Sequence, residues 1–117
     1  MRLPLQYKNE YFEACYSHML YCMAFSMNEI ISLNNEVLRI LKKGGINIFT
    51  VRNTLDGDYK NGIHRDEDLY ENDGFIVHFF SIEKIKKLLN GFELIKIDDF
   101  NEGKFPRKLY KVVLKKL

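Results

Sequence analysis

The sequence predicts an α/β domain of element order β-α-β-α-β-β, with a mostly parallel sheet and an antiparallel last strand. Three observations carry this expectation. Over residues 12–51 an apolar run, an amphipathic helix and a β-branched run follow one another, and two strands joined through one helix in so short a span run parallel by a right-handed crossover. A second capped helix begins after Ser81. Two β-rich runs near the end, separated by a polar turn, have the spacing of a hairpin.

Taken in order, Tyr7-Lys8-Asn9-Glu10 is turn-like, and residues 12–16, apolar with one acid inside, read as a buried strand. Residues 18–25 are aromatic and methionine-rich without a period, which suits a loop or irregular helix over something apolar. Ser26 followed three residues later by Glu29 is a capping box, and Phe25 with Ile30 fills the two positions of a hydrophobic staple. Met27, Ile30, Ile31, Val37, Leu38 and Leu41 give the helix over residues 27–41 one apolar face. Lys42-Lys43-Gly44-Gly45 closes it with cations and a left-handed glycine. Residues 46–51 form the next strand. Residues 52–74, polar and punctuated by glycine, Asp and Asn, read as a long loop of the kind that serves as a lid or binding loop. After a short extended stretch at residues 75–80, Ser81 caps a helix with Ile82, Ile85, Leu88 and Leu89 on one face, ended by Asn90-Gly91. Residues 92–100 and 109–114 are strands around the turn at 101–108, with Pro106 outside the ladder.

A chain of 117 residues has room for one core, so residues 1–117 form a single domain. A hydrophobic fraction of 46% argues against disorder. No apolar run approaches the roughly 20 residues of a membrane span, because Ser17, His18 and Ser26 interrupt the greasiest stretch. With no secretory signal pattern at the start, a cytoplasmic protein without a membrane partner is expected. The net charge of +2 gathers its basic excess in Lys104, Arg107, Lys108, Lys111, Lys115 and Lys116, a solvated strand face lacking the interleaved aromatics of a nucleic-acid platform. Cys15 and Cys22 make neither a disulfide framework nor a zinc spacing, and no metal is expected.

Leu3-Pro4-Leu5-Gln6-Tyr7 followed by Tyr11-Phe12-Glu13-Ala14-Cys15-Tyr16-Ser17-His18 resembles the stretch leading into the fourth strand of class I S-adenosylmethionine-dependent methyltransferases. Glu36-Val37-Leu38-Arg39-Ile40-Leu41-Lys42-Lys43-Gly44-Gly45 resembles the helix end before their fifth strand, with Lys43 where the family usually has proline. Phe79-Phe80-Ser81 and Gly91-Phe92-Glu93-Leu94 are similar to the stretches that introduce strands six and seven, so four matches in order span nearly the whole chain. The resemblance implies a partial Rossmann-like methyltransferase fold corresponding to the C-terminal half of the domain. It also implies S-adenosylmethionine as cofactor and methyl transfer to a small-molecule acceptor. The departure is as informative. No G-x-G-x-G turn is present, nor an acid about 20 residues beyond one to hold a ribose. In the family these belong to strands one to three. The chain alone is therefore expected to bind the cofactor weakly or not at all, and its alternative role is that of a non-catalytic half-fold acting as an oligomeric interaction module.

An open parallel sheet binds ligands at the carboxyl ends of its strands. By resemblance, Ser17 and His18 line the methionine side of the cofactor. Tyr21, Cys22 and Met23 would roof the pocket, with a core role as the alternative for each. Arg52, Asn53, Asp56, Tyr59 and His64 gather after the second strand, where they could orient an acceptor or take its proton, or form a solvated loop. His78 is either a further substrate contact or a satisfied structural histidine. The candidate substrate residues are thus Tyr21, Arg52, Asn53, Asp56, Tyr59 and His78, with no catalytic residue assigned. Asp66-Glu67-Asp68 reads as a charge run. A bound cofactor is expected over the carboxyl end of the first strand, away from the turn at residues 104–108. In the family the first strand of this chain is central, so here its edge is exposed and calls for a partner: a second copy, paired through that edge and residues 16–25, or a complementary N-terminal half.

Overall fold

Residues 3–103 and 107–117 are described by the computed structural model. Strand β1 (Phe12–His18) leads through helix α1 (Met27–Ile40) into β2 (Leu41–Arg52). Three short strands follow, β3 (Ile63–His64), β4 (Leu69–Asn72) and β5 (Phe75–His78), and then α2 (Ile82–Lys86), β6 (Phe92–Glu102) and β7 (Arg107–Lys116). The main sheet has the order β1-β2-β7-β6. Its β1–β2 pairing is parallel, whereas β2–β7 and β7–β6 are antiparallel. The expected mostly parallel sheet is therefore mixed, because the last strand enters between β2 and β6 and reverses both of its pairings.

One face of this sheet carries the core. Phe49 and Val51 of β2 are in register with Val112 and Tyr110 of β7, and all four are buried with Ile30, Leu33 and Val37 of α1, Ile85 of α2 and the following Leu88. Asn34 of α1 is buried among them. Its Nδ2 donates to the Leu88 carbonyl (2.8 Å), and its Oδ1 accepts from the Tyr21 hydroxyl (2.8 Å) and from Nδ2 of Asn47 on β2 (3.3 Å). A buried amide so satisfied costs little and fixes how helix and sheet meet. The opposite face is not roofed by either helix. There Tyr16, Ile48 and Val113 lie in register across three strands; Tyr16 is 66% exposed and the other two are half-buried.

Several boundaries differ from the sequence reading. β1 runs to His18 and none of its residues is buried, since among the described residues it pairs on one side only; the expected buried strand is an edge strand. The Ser26–Glu29 capping box and the start of α1 are as expected. Its end is not. The cap is Leu41 in extended backbone, and Gly44, at φ +76°, lies inside β2. The terminal carbonyls are met from elsewhere: the backbone N–H groups of Glu10 and Tyr11 donate to Arg39 and Ile40 (2.9 and 2.8 Å), so no glycine turn is needed. Arg39 also donates to the carbonyls of Leu5 and Tyr7, strapping residues 5–11 along the helix. The expected long loop over residues 52–74 holds a small antiparallel sheet, β3-β4-β5, which takes up part of the 75–80 stretch as well. Tight turns and stacked aromatics stand in for long strands there: His64 stacks on Tyr70 (4.8 Å), and Tyr59 meets Tyr70 and Phe79 at 5.6 and 5.5 Å. Ser81 caps α2 as expected, but the helix ends at Lys86 with Lys87 as its cap, short of the expected stop at Asn90-Gly91; Gly91 adopts φ +81° in the turn before β6. Pro106 lies outside the described residues.

Candidate functional site

Because β7 opposes both neighbours, β1, β2 and β6 point the same way and their carboxyl ends, His18, Arg52 and Glu102, share one end of the sheet. The chain leaves β1 there and returns as α1, so the amino end of that helix lies at the same end. A cavity of about 280 Å³ opens beside it, lined by Leu3, Phe25, Asn28, Glu29, Ser32 and Leu33.

His18 is the polar centre of this end. Its Nδ1 lies 2.7 Å from the hydroxyl of Thr50 on β2, and its Nε2 lies 2.8 Å from a carboxylate oxygen of Glu102. Both the imidazole and the carboxylate remain more than a third exposed, at 39% and 38%. The Thr50 hydroxyl also accepts the N–H of Met19 (2.9 Å), which fixes the turn after His18, where Met19 takes φ +59°. Glu102 reaches the site because the β6–β7 hairpin runs two pairs beyond Leu109, the last partner of β2 on β7. The hairpin end was expected at the far edge. Its overhang instead brings one acid across to β1. Ser17, half-buried, is in register with Phe49 and so turns toward the helix-covered face.

The remaining candidates lie deeper. Tyr21 is buried, stacks on Phe49 (4.4 Å) and donates to Asn34; burial pushes its phenol well above the ordinary tyrosine value. Arg52 and Asp56, both buried, form a two-pronged pair (3.1 and 2.9 Å), and Asp58 adds a third contact at 2.7 Å. Desolvation works against the Asp56 charge, but the guanidinium with the backbone N–H groups of Asp58 and Lys108 overcomes it and holds the carboxyl below its usual range. Asn53 accepts the N–H of Leu55 through its side chain and bridges Phe80 in parallel, which ties the start of the insert to the segment before α2. Tyr59 donates to Asp68 (3.0 Å), and exposed His64 engages the Glu67 carbonyl (2.8 Å). His78 is buried between the Phe25 carbonyl and Lys84. The structure thus groups Arg52 with Asp56 and Tyr59 with His78, but brings neither group into contact with His18.

Thr50, Glu102, Lys84 and Asp68 were not anticipated. Local sequence carries no signal for them, since Thr50 and Glu102 act on His18 from other strands, and Lys84 joins Asp68 to His78 only once the insert has folded back on α2. The 66–68 run is also more than a charged surface, for Glu67 accepts the N–H of Met27 at the start of α1 (2.9 Å) and Asp68 binds Lys84.

No protein-family model matches the sequence, and no curated protein matches it. Solved structures do. An S-adenosylmethionine-dependent methyltransferase from Methanosarcina mazei superposes with a TM-score of 0.80 at 17% identity, over 97% of this chain and 63% of its own. The fold is a methyltransferase fold. The 1,6-didemethyltoxoflavin-N1-methyltransferase of Burkholderia thailandensis, solved with its substrate and S-adenosylhomocysteine, matches at 0.73 and 12% identity over 97% of this chain and 47% of its own. A Thermotoga maritima protein described as a possible histamine N-methyltransferase gives 0.68 and 20% over 97% and 60%. The chain therefore spans about half to two thirds of the methyltransferases it resembles.

Proposed function

We propose that this chain supplies the C-terminal half of an S-adenosylmethionine-dependent methyltransferase site acting on a small-molecule acceptor. One observation carries the reading: on a methyltransferase fold, a half-exposed imidazole and carboxylate, His18 and Glu102, meet at the shared carboxyl end of β1 and β6. The donor set fits one side of the cofactor. Ser17 and His18 would hold its methionine part, and Glu102 offers a negative charge near a sulfonium. The chain has no glycine-rich turn for the nucleoside part, which a complementary N-terminal half would provide. When bound, the cofactor supplies an electrophilic methyl group. The chain's own contribution is orientation: Thr50 and Glu102 engage both ring nitrogens of His18 and hold the imidazole in one position at the end of β1. Tyr59 and His64, in the insert after β2, would be the residues to meet an acceptor. Arg52, Asn53, Asp56 and His78 hold that insert in shape, and Tyr21 fastens the segment after β1 to β2 and α1. A non-catalytic role as an association module is the second reading, favoured by Tyr16, exposed on the open face at the unpaired edge of β1.

Titration of the chain with S-adenosylhomocysteine, followed by calorimetry and amide NMR, tests the first reading. The expected dissociation constant is weaker than about 10 μM, roughly 7 kcal/mol, with shifts confined to Ser17, His18 and Glu102 and lost in His18→Ala. Shifts confined to the far end of β6 around Phe92 would overturn it, and a constant tighter than about 10 μM would show that this half suffices alone.

A further inference from the structure

Segments far apart in the sequence meet at one buried side chain. His78 ends β5 and has no solvent exposure. Its Nδ1 is 2.7 Å from the carbonyl oxygen of Phe25, which can only accept, so the ring proton sits on Nδ1. Nε2, 2.7 Å from the Lys84 ammonium, is then the acceptor. The same ammonium donates to Asp68 Oδ2 (2.6 Å), and Asp68 Oδ1 accepts the Tyr59 hydroxyl (3.0 Å). Backbone bonds run parallel to this chain: His78 N–H to the Cys22 carbonyl (2.9 Å) and Phe79 N–H to the Asp68 carbonyl (3.0 Å).

The groups that face the imidazole are Lys84 from α2, Asp68 and Glu67 from the turn before β4, and the carbonyls of Phe25 and Cys22 from the segment after β1. Lys84 is in direct contact, so the ring has no acceptor for a second proton. Burial holds the imidazole below its ordinary value, and the ammonium lowers it further, against the opposing pull of the Phe25 carbonyl and the two acids.

We propose that the chain of contacts Tyr59–Asp68–Lys84–His78–Phe25 is a proton-operated latch, which clamps the β3–β5 sheet and α2 to the segment roofing the carboxyl end of β1 and opens when His78 takes up a proton. Protonation sets an imidazolium N–H against an ammonium in a dry site. Asp68 retains Lys84, so His78 withdraws and its bond to Phe25 is lost. Residues 19–25 follow His18 directly, and their release uncovers that end of the sheet. The closed form is favoured above the ordinary histidine range near pH 6.5 and is lost as pH falls through it toward the lower value of the folded state.

Amide hydrogen exchange of the full chain at about pH 7.5 and about pH 5.5, corrected for intrinsic rates, tests it. In the wild type, residues 19–25 and 63–78 are expected to exchange about tenfold faster at the lower pH, with β2 and β7 unchanged. His78→Gln can still donate to Phe25 and accept from Lys84 but cannot be protonated, so its protection should be equal at both. Lys84→Met, which removes the opposing cation, should cut the response to under about threefold if the glutamine variant fails to fold. His18→Gln, outside both segments, should keep it whole. Equal wild-type protection at both pH values, or a response that survives in the His78 or Lys84 variant, would overturn the latch.

Discussion

Asp56 serves four donors with two oxygens: Nε and Nη2 of Arg52, and the backbone N–H groups of Asp58 and Lys108. The last of these belongs to β7, so one carboxylate fastens the insert after β2 to the final hairpin. Asp56→Ala would leave Arg52, 7% exposed, with Asp58 as its one remaining carboxylate. A loss of about 3 kcal/mol is expected from urea unfolding, and less for Asp56→Asn, which keeps one acceptor oxygen. The pH dependence has a definite sign. The folded carboxyl lies below its unfolded value, so its stabilisation is present above the ordinary carboxylate range near pH 4 and disappears as pH falls through that range to the folded value. The wild type should lose stability there, and the asparagine variant should lose less. Identical acid profiles would show that the pair contributes nothing.

At the level of elements, the turn between α2 and β6 depends on Gly91. Its φ is +81°, and a Cβ there would come within 2.6 Å of a Leu38 methyl group on α1. Gly91→Ala combines left-handed strain with a clash, and about 2 kcal/mol of destabilisation is expected, seen as a lower thermal midpoint; no change would mean that Leu38 turns aside freely. This turn and the Ser26–Glu29 box were legible in the sequence because each is decided by residues within a few positions. The strand–helix–strand unit was legible for the same reason. The end of α1 was not, since Glu10 and Tyr11 reach its carbonyls from the preceding segment and make the glycines unnecessary. The β3–β5 sheet escaped because its strands are too short to show a period and are held by aromatic stacking across the insert. Ser17 and His18 were legible as a strand end, while Thr50 and Glu102 acquire meaning only from register and from the overhang of a hairpin.

For the molecule as a whole, the one-sided covering of the sheet sets the expected solution behaviour. The open face presents Tyr16, Ile48 and Val113 beside the unpaired edge of β1, a template for another chain. Light scattering at low micromolar concentration should give a homodimer, and Tyr16→Lys should shift it toward monomer. A stable wild-type monomer with cooperative unfolding would mean that this face tolerates water unaided. No helix among the described residues is long and apolar enough to cross a membrane. The His18–Glu102 contact also has a kinetic consequence. It joins the first strand to the penultimate one, a closure of high sequence separation whose entropy must be met before any local gain returns. During synthesis, β1, α1 and β2 can associate early through neighbouring contacts, yet the acid that completes the polar end arrives only with the last hairpin. The His18–Glu102 pair can therefore form only once β6 has been made, and a chain stopped before β6 would keep its histidine without the carboxylate that orients it.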